Sequence, residues 1–172
     1  MNPETAHAIA TFLIQGLEWE YQTTRKVLAA VPDGKLSWRP HEKGKSAGEL
    51  AWHIVAAEGW FLEGIAAGKF GMEEEGPPPA TTSEIVAYYQ ENFPAALAKL
   101  KALPVEAWTT PMDFLGIFNY PAFVYLAMVK SHSIHHRGQL STYLRAMGER
   151  VPSIYGGSAD EPFVPPQEQA AG

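Results

Sequence analysis

Three of the six histidines in this chain fall within one short run, Val129-Lys130-Ser131-His132-Ser133-Ile134-His135-His136-Arg137-Gly138-Gln139-Leu140. His132 and His136 stand at i and i+4, so on a helix their imidazoles project from one face a turn apart, close enough to bind one ion. Two imidazoles rarely complete a site. The best-placed third is His53, in the second helix-like run Glu49-Leu50-Ala51-Trp52-His53-Ile54-Val55. Neutral histidines suit zinc, nickel, copper or ferrous iron, and three protein ligands leave a position open for water or substrate, the mark of a catalytic site. A carboxylate-bridged di-iron centre does not fit. It needs Glu-x-x-His pairs, and the residues three before His53, His132, His135 and His136 are Leu50, Val129, His132 and Ser133.

The neighbours divide by direction. His135 sits about 60° from His132 on the helical wheel and beside His136, which leaves it a ligand or a group that supports one. Gln139, a turn beyond His136, can hydrogen-bond a bound water or substrate. Glu58, about 140° around the helix from His53, reads as a partner in a surface ion pair, and Arg137 and Arg145 read the same way. Trp38, Trp52, Trp60 and Tyr120 read first as core residues and only second as pocket walls. A lone His53 among Trp52, Ile54 and Val55 would ordinarily be a satisfied core residue. His7 and His41 read as solvated.

Four helical segments must position these groups. The first runs from about Pro3 to Ala30, with Ile9, Phe12, Leu13, Leu17, Glu20, Tyr21, Thr24 and Leu28 near the 3.6-residue period. The second opens at a capping box, Ser46-Ala47-Gly48-Glu49, and reaches about Ala67, with Gly68 as its stop. The third begins at a similar signal, Thr81-Thr82-Ser83-Glu84, and continues to about Leu103 with Pro94 inside it. The fourth, read as the longest, starts near Asn119-Tyr120-Pro121 and ends at Met147-Gly148. Between the third and fourth, residues 108–119 could hold a short hairpin but not a sheet. The expected architecture is an all-α four-helix bundle spanning residues 1–160, followed by an irregular Pro-rich tail, 161–172, whose last six residues are expected to be mobile. The topology is left open.

Composition narrows the function. At 172 residues, with 46% hydrophobic and 12% aromatic, the chain suits one packed domain. No run approaches the roughly 20 apolar residues of a membrane span, and the N-terminus lacks the pattern of a secretory signal, so a cytoplasmic protein with no membrane partner is expected. Zero cysteines exclude disulfides, thiolate zinc sites and cysteine nucleophiles. Thirteen basic against nineteen acidic residues give a net charge of −6, the wrong sign for a nucleic-acid binder.

The segments Leu36-Ser37-Trp38-Arg39-Pro40, Lys45-Ser46-Ala47-Gly48-Glu49 through His53, the run from His132 to Gly148, and Val151-Pro152-Ser153-Ile154-Tyr155-Gly156 together resemble the DinB/YfiT-like family of metalloenzymes. The His-x-x-His-His-Arg-Gly-Gln run is the specific part. The resemblance implies a four-helix bundle holding one divalent metal, zinc or nickel first and iron as an alternative, on one histidine of the second helix and two of the fourth. Matched position by position these are His53, His132 and His136, with His135 at a position not usually assigned as a ligand. Relatives include thiol-dependent transferases and isomerases that use bacillithiol or mycothiol, and homodimers are common among them. The expected function is therefore a metal-dependent enzyme acting on a small-molecule substrate, such as a low-molecular-weight-thiol S-transferase. A metal-dependent hydrolase and a non-catalytic, stress-related metal-binding bundle are the alternatives.

Overall fold

The computed structural model describes residues 1–163 of the chain. Helix α1 spans Pro3–Ala29, α2 Ala47–Ala67, α3 Thr82–Lys101 and α4 Ala122–Ala146. Two short strands, β1 (Pro111–Phe114) and β2 (Phe118–Pro121), form the antiparallel hairpin before α4, with Pro111 opposite Pro121. At 27 residues α1 is the longest helix, two longer than α4, correcting the expectation for the fourth segment. Residues 161–163 are irregular. The rest of the expected tail, 164–172, lies outside the described residues, and so do the six residues expected to be mobile.

Local signals set the helix boundaries. In each of α2 and α3 the cap hydroxyl (Ser46 or Thr81) accepts from the amide three residues on, while the glutamate at that position accepts from the cap amide, so two otherwise free donors are satisfied together. Gly68 ends α2 in the left-handed conformation, φ 72°. Pro94 lies inside α3 without ending it. The hairpin is anchored by buried Tyr125 of α4, whose hydroxyl donates to the Met112 carbonyl (2.8 Å) and accepts from the Tyr120 amide (3.1 Å).

Helices α1 and α2 each pack against both α3 and α4, so α1 and α2 occupy opposite corners of the bundle. The core is filled by fully buried side chains from every helix, among them Leu17, Ile54, Leu62, Leu100, Val129 and Leu140. Each such side chain stabilises the fold by about 1.5–3 kcal/mol relative to exposure. Phe12, placed by periodicity on the inner face of the first helix, is 70% exposed; Ala6, Ala10, Ile14 and Leu17 form that face instead.

Two charged side chains expected at the surface are in the core. Glu58 is 1% exposed, with its carboxylate accepting from the hydroxyls of Tyr89 (2.5 Å) and Ser133 (3.1 Å). Burial is the main reason its pKa is pushed up to about 7, with the two hydroxyls pulling the other way. Arg137 is equally buried and pairs with Glu20 of α1 at 2.6 Å. It also donates to the Tyr155 hydroxyl (2.5 Å), which in turn donates to Glu20 (2.9 Å). Arg145 behaves as expected, pairing with Asp160 at the surface.

Candidate metal centre

His53 projects from the second turn of α2, and His132 and His136 from successive turns of the adjacent α4. Their ring centroids lie 4.4–5.0 Å apart. One nitrogen from each ring falls within 4.8 Å of the other two. Nitrogens on one tetrahedral ion would be about 3.3 Å apart, given bonds of about 2.0–2.1 Å, so small ring rotations close the difference. The other histidines do not join them. His135 is exposed, edge-on to His136 at 4.8 Å. His41 is exposed, and His7 is a half-buried residue of α1 rather than a solvated one.

Two of the three rings are oriented through Nδ1. His53 Nδ1 lies 2.6 Å from Glu75 Oε2, and His136 Nδ1 lies 3.0 Å from Gln139 Oε1. An oxygen acceptor at Nδ1 fixes the proton there and leaves Nε2 free to bind a cation. The Gln139 amide is itself held, since its nitrogen donates to the Tyr143 hydroxyl (3.4 Å), which donates to the Lys45 carbonyl (3.3 Å). Gln139 thus acts on His136.

The third ring, His132, has a buried Nδ1 with no hydrogen-bond partner. Burial first, then the neighbouring rings of His136, His53 and His135, lower its pKa to about 4; burial also lowers that of His136. Both are therefore neutral donors at pH 7. A convergent set of imidazoles with an unsatisfied buried nitrogen fits a divalent cation, and no thiolate competes for it.

Glu75 is the residue that sequence spacing does not reveal. It lies in the linker between α2 and α3, 22 positions from His53, and its approach depends on how that linker crosses α2. The indoles of α2 hold it there. Trp52 Nε1 donates to the Glu75 carbonyl (3.1 Å), and Trp60 Nε1 donates to the Glu73 carboxylate (3.1 Å). The run Glu73-Glu74-Glu75 was the available signal, although its composition is that of an ordinary solvated loop.

A cleft of about 510 Å³ opens beside the histidines, between α2, α3 and this linker. His53 and His132 line it together with Trp52, Trp60, Phe61 and Tyr88. Trp52 and Trp60 are thus pocket walls before they are core. Trp38 packs edge-on against Tyr143 at 5.3 Å, away from that cleft, and Tyr120 is 43% exposed rather than buried.

The model of the DinB family matches residues 3–168. This chain belongs to the DinB family. A DinB-like protein from Bacillus cereus ATCC 10987, of known structure, is 30% identical, with a TM-score of 0.73 over 83% of this chain and 95% of that one. The uncharacterized protein YrdA of Bacillus subtilis (strain 168) is 29% identical over 153 residues, covering 86% of this chain and 89% of its own. YfiT from Bacillus subtilis, described as a probable metal-dependent hydrolase with an unusual four-helix bundle topology, superposes with a TM-score of 0.69 over 81% of this chain and 87% of that one. At 16% identity that likeness shows a shared fold. The corner-to-corner placement of α1 and α2 is how the DinB fold appears here. No described helix is long and apolar enough to cross a membrane.

Proposed function

We propose that this chain is a divalent-metal-dependent enzyme acting on a small molecule bound in the cleft, with His53, His132 and His136 as the metal ligands. The observation that carries the reading is the convergence of three imidazoles, two with their outer nitrogens already hydrogen-bonded, at the wall of an aromatic cleft. A divalent ion held by three histidines lowers the pKa of a water or thiol at its open position. The protein's own part is to fix the imidazole tautomers through Glu75 and Gln139, and to shield the reacting groups with Trp52, Trp60 and Phe61.

The reaction we favour is transfer of a low-molecular-weight thiol to an electrophile. A thiol needs only a lowered pKa to become nucleophilic, whereas activation of water is helped by a nearby general base. Of the four carboxylates that line the cleft, three are engaged elsewhere, Glu75 by His53, Glu73 by the Trp60 indole and Glu63 by Lys99, and among the described residues only Glu74 is left to serve as a base. Hydrolysis is the second reading, supported by the fold shared with YfiT. Zinc and nickel are the first candidates for the metal.

Elemental analysis of untagged protein tests the metal, with about one equivalent expected per chain. A panel of thiols and electrophiles, run beside ester and amide substrates, then separates the two reactions. Absence of stoichiometric metal overturns the proposal. Metal with no turnover on either panel would leave a metal-stabilised bundle, recognised by a melting temperature that falls when the metal is stripped.

A further inference from the structure

The cleft beside the histidines has walls and a rim of different chemistry. Its walls are aromatic: Trp52 and Trp60 from α2, and Tyr88 from α3, which meets Trp52 edge-on with centroids 5.0 Å apart. Its rim carries the side chains of Glu63, Glu73, Glu74 and Glu75. Of these, among the described residues, only Glu63 is ion-paired with a lysine, Lys99 at 2.8 Å, and Lys69 lies near enough to Glu73 to offset part of its charge. Glu73 and Glu75 are turned onto the cleft's own walls, one to the Trp60 indole and the other to His53, while Glu74 has no ion pair among the described residues. Among the described residues no lysine or arginine lines the cleft.

Carboxylates alone would be an ordinary acidic surface. What gives these a ligand is the enclosure: about 510 Å³ of mostly apolar space, large enough for a drug-sized molecule, with indole and phenol rings as walls. Aromatic faces attract cations through the negative potential above the ring, and more strongly when the cation is partly desolvated. Anions meet repulsion from both the rim and the ring faces. On metal-free protein the two sources of potential act in the same direction on any molecule entering from solvent, while a divalent ion on the histidines would add an opposing charge at the inner end of the cleft.

We propose that the aromatic cleft bounded by Trp52, Trp60 and Tyr88 and rimmed by Glu73 and Glu74 selects a substrate carrying an organic cation, an ammonium group on an apolar body. This rests on the reading of the cleft as the substrate site of a metalloenzyme, and it deepens that reading by naming the substrate's charge class. It also argues against a strongly anionic thiol as the co-substrate.

The probe is benzyltrimethylammonium, which cannot coordinate a metal, compared with benzyl alcohol as a neutral analogue and phenylacetate as an anion. Binding is read from the indole N–H resonances of Trp52 and Trp60, on metal-free and on zinc-loaded protein. The expected result is that the cation binds about tenfold or more tightly than benzyl alcohol on metal-free protein, with the same order but a smaller ratio on zinc-loaded protein. On metal-free protein, phenylacetate binds more weakly than either. The double variant Glu73→Gln, Glu74→Gln, which keeps the hydrogen-bond acceptor at Trp60, brings the cation to within about threefold of benzyl alcohol. Equal binding of cation and alcohol in the wild type, or a preference that survives the double substitution, overturns the proposal. Because the metal-free arm is read separately, failure to load zinc would refute the metal reading and leave the charge preference to be decided on its own.

Discussion

The hydrogen bond between Glu75 and His53 offers a graded test of the centre. Glu75→Gln keeps an oxygen that can accept from His53 Nδ1 but removes its charge; Glu75→Ala removes the acceptor altogether. A hydrogen bond to a charged group contributes about 1.5–3 kcal/mol and a neutral one about 0.5–1.5. The Glu75 side chain is 32% exposed, which places both contributions toward the lower end through solvent screening. The glutamine variant should then lose about 1 kcal/mol of metal binding, roughly fivefold in affinity. The alanine variant should lose about 1.5–2.5 kcal/mol, between about tenfold and 100-fold, in the range seen for groups that orient metal-ligating histidines. Zinc affinity is measured by competition with a chromophoric chelator on protein stripped of metal, with helical content checked by circular dichroism. An alanine variant that stays folded and binds zinc within twofold of wild type would refute the argument that Glu75 orients His53. A glutamine variant as weak as alanine would show that charge, rather than the position of the acceptor, is what matters.

Other perturbations separate the roles of the remaining residues. His53→Ala, His132→Ala and His136→Ala should each weaken zinc binding by about 100-fold or more, while His135→Ala should stay within about threefold, by the same chelator competition; equal losses would mean the ligands are misassigned. Glu58→Gln should change how stability depends on pH. With a folded pKa near 7 against 4.5 unfolded, the stability that Glu58 gains from keeping its proton is fully present below pH 4.5 and is lost as the pH rises through 7. The variant should therefore gain on wild type between pH 4.5 and 8 by up to about 3 kcal/mol, read from chemical denaturation at the two ends. His132 in the metal-free chain works in the opposite sense, losing stability as the pH falls from 6.5 toward 4, so the wild-type profile between these values should be flatter than that of the Glu58 variant. Arg137→Met leaves Glu20 buried without its partner and should cost about 3–5 kcal/mol at pH 8 in a denaturation series, with part of the loss recovered by adding Glu20→Gln.

The pairing of His132 with His136 and the helix starts were legible because both are local, whereas the meeting of His53 with that pair depends on how α2 packs against α4. The i, i+4 pair on α4 is a statement about one turn of helix, and the caps at Ser46 and Thr81 need only three residues to declare themselves. Glu58 and Arg137 are buried in spite of their formal charge because their positions along the helices face the core. Glu58 lies on the stripe Ala51, Ile54, Val55, Phe61, Leu62 and Ile65, all buried, and that period pointed inward whatever the residue type. Phe12 is the converse, a large apolar residue off the buried stripe. Glu75 and the placement of α1 opposite α2 depend on linker paths, which carry no periodicity to read.

Arg137 has a consequence for the neighbouring histidines that its burial alone does not convey. It follows His136 directly on α4, but its guanidinium is gripped on the far side by Glu20 of α1 and by Tyr155, which lies beyond the end of the helix. That grip works as a detent against rolling of α4 about its own axis. A roll of about 10° would carry a ring some 6 Å from the axis sideways by about 1 Å, a large error against a metal–nitrogen bond of about 2 Å. The aim of the two imidazoles is thus set from the opposite side of α4, and a change at Tyr155 should be felt first in how well the proposed site holds an ion.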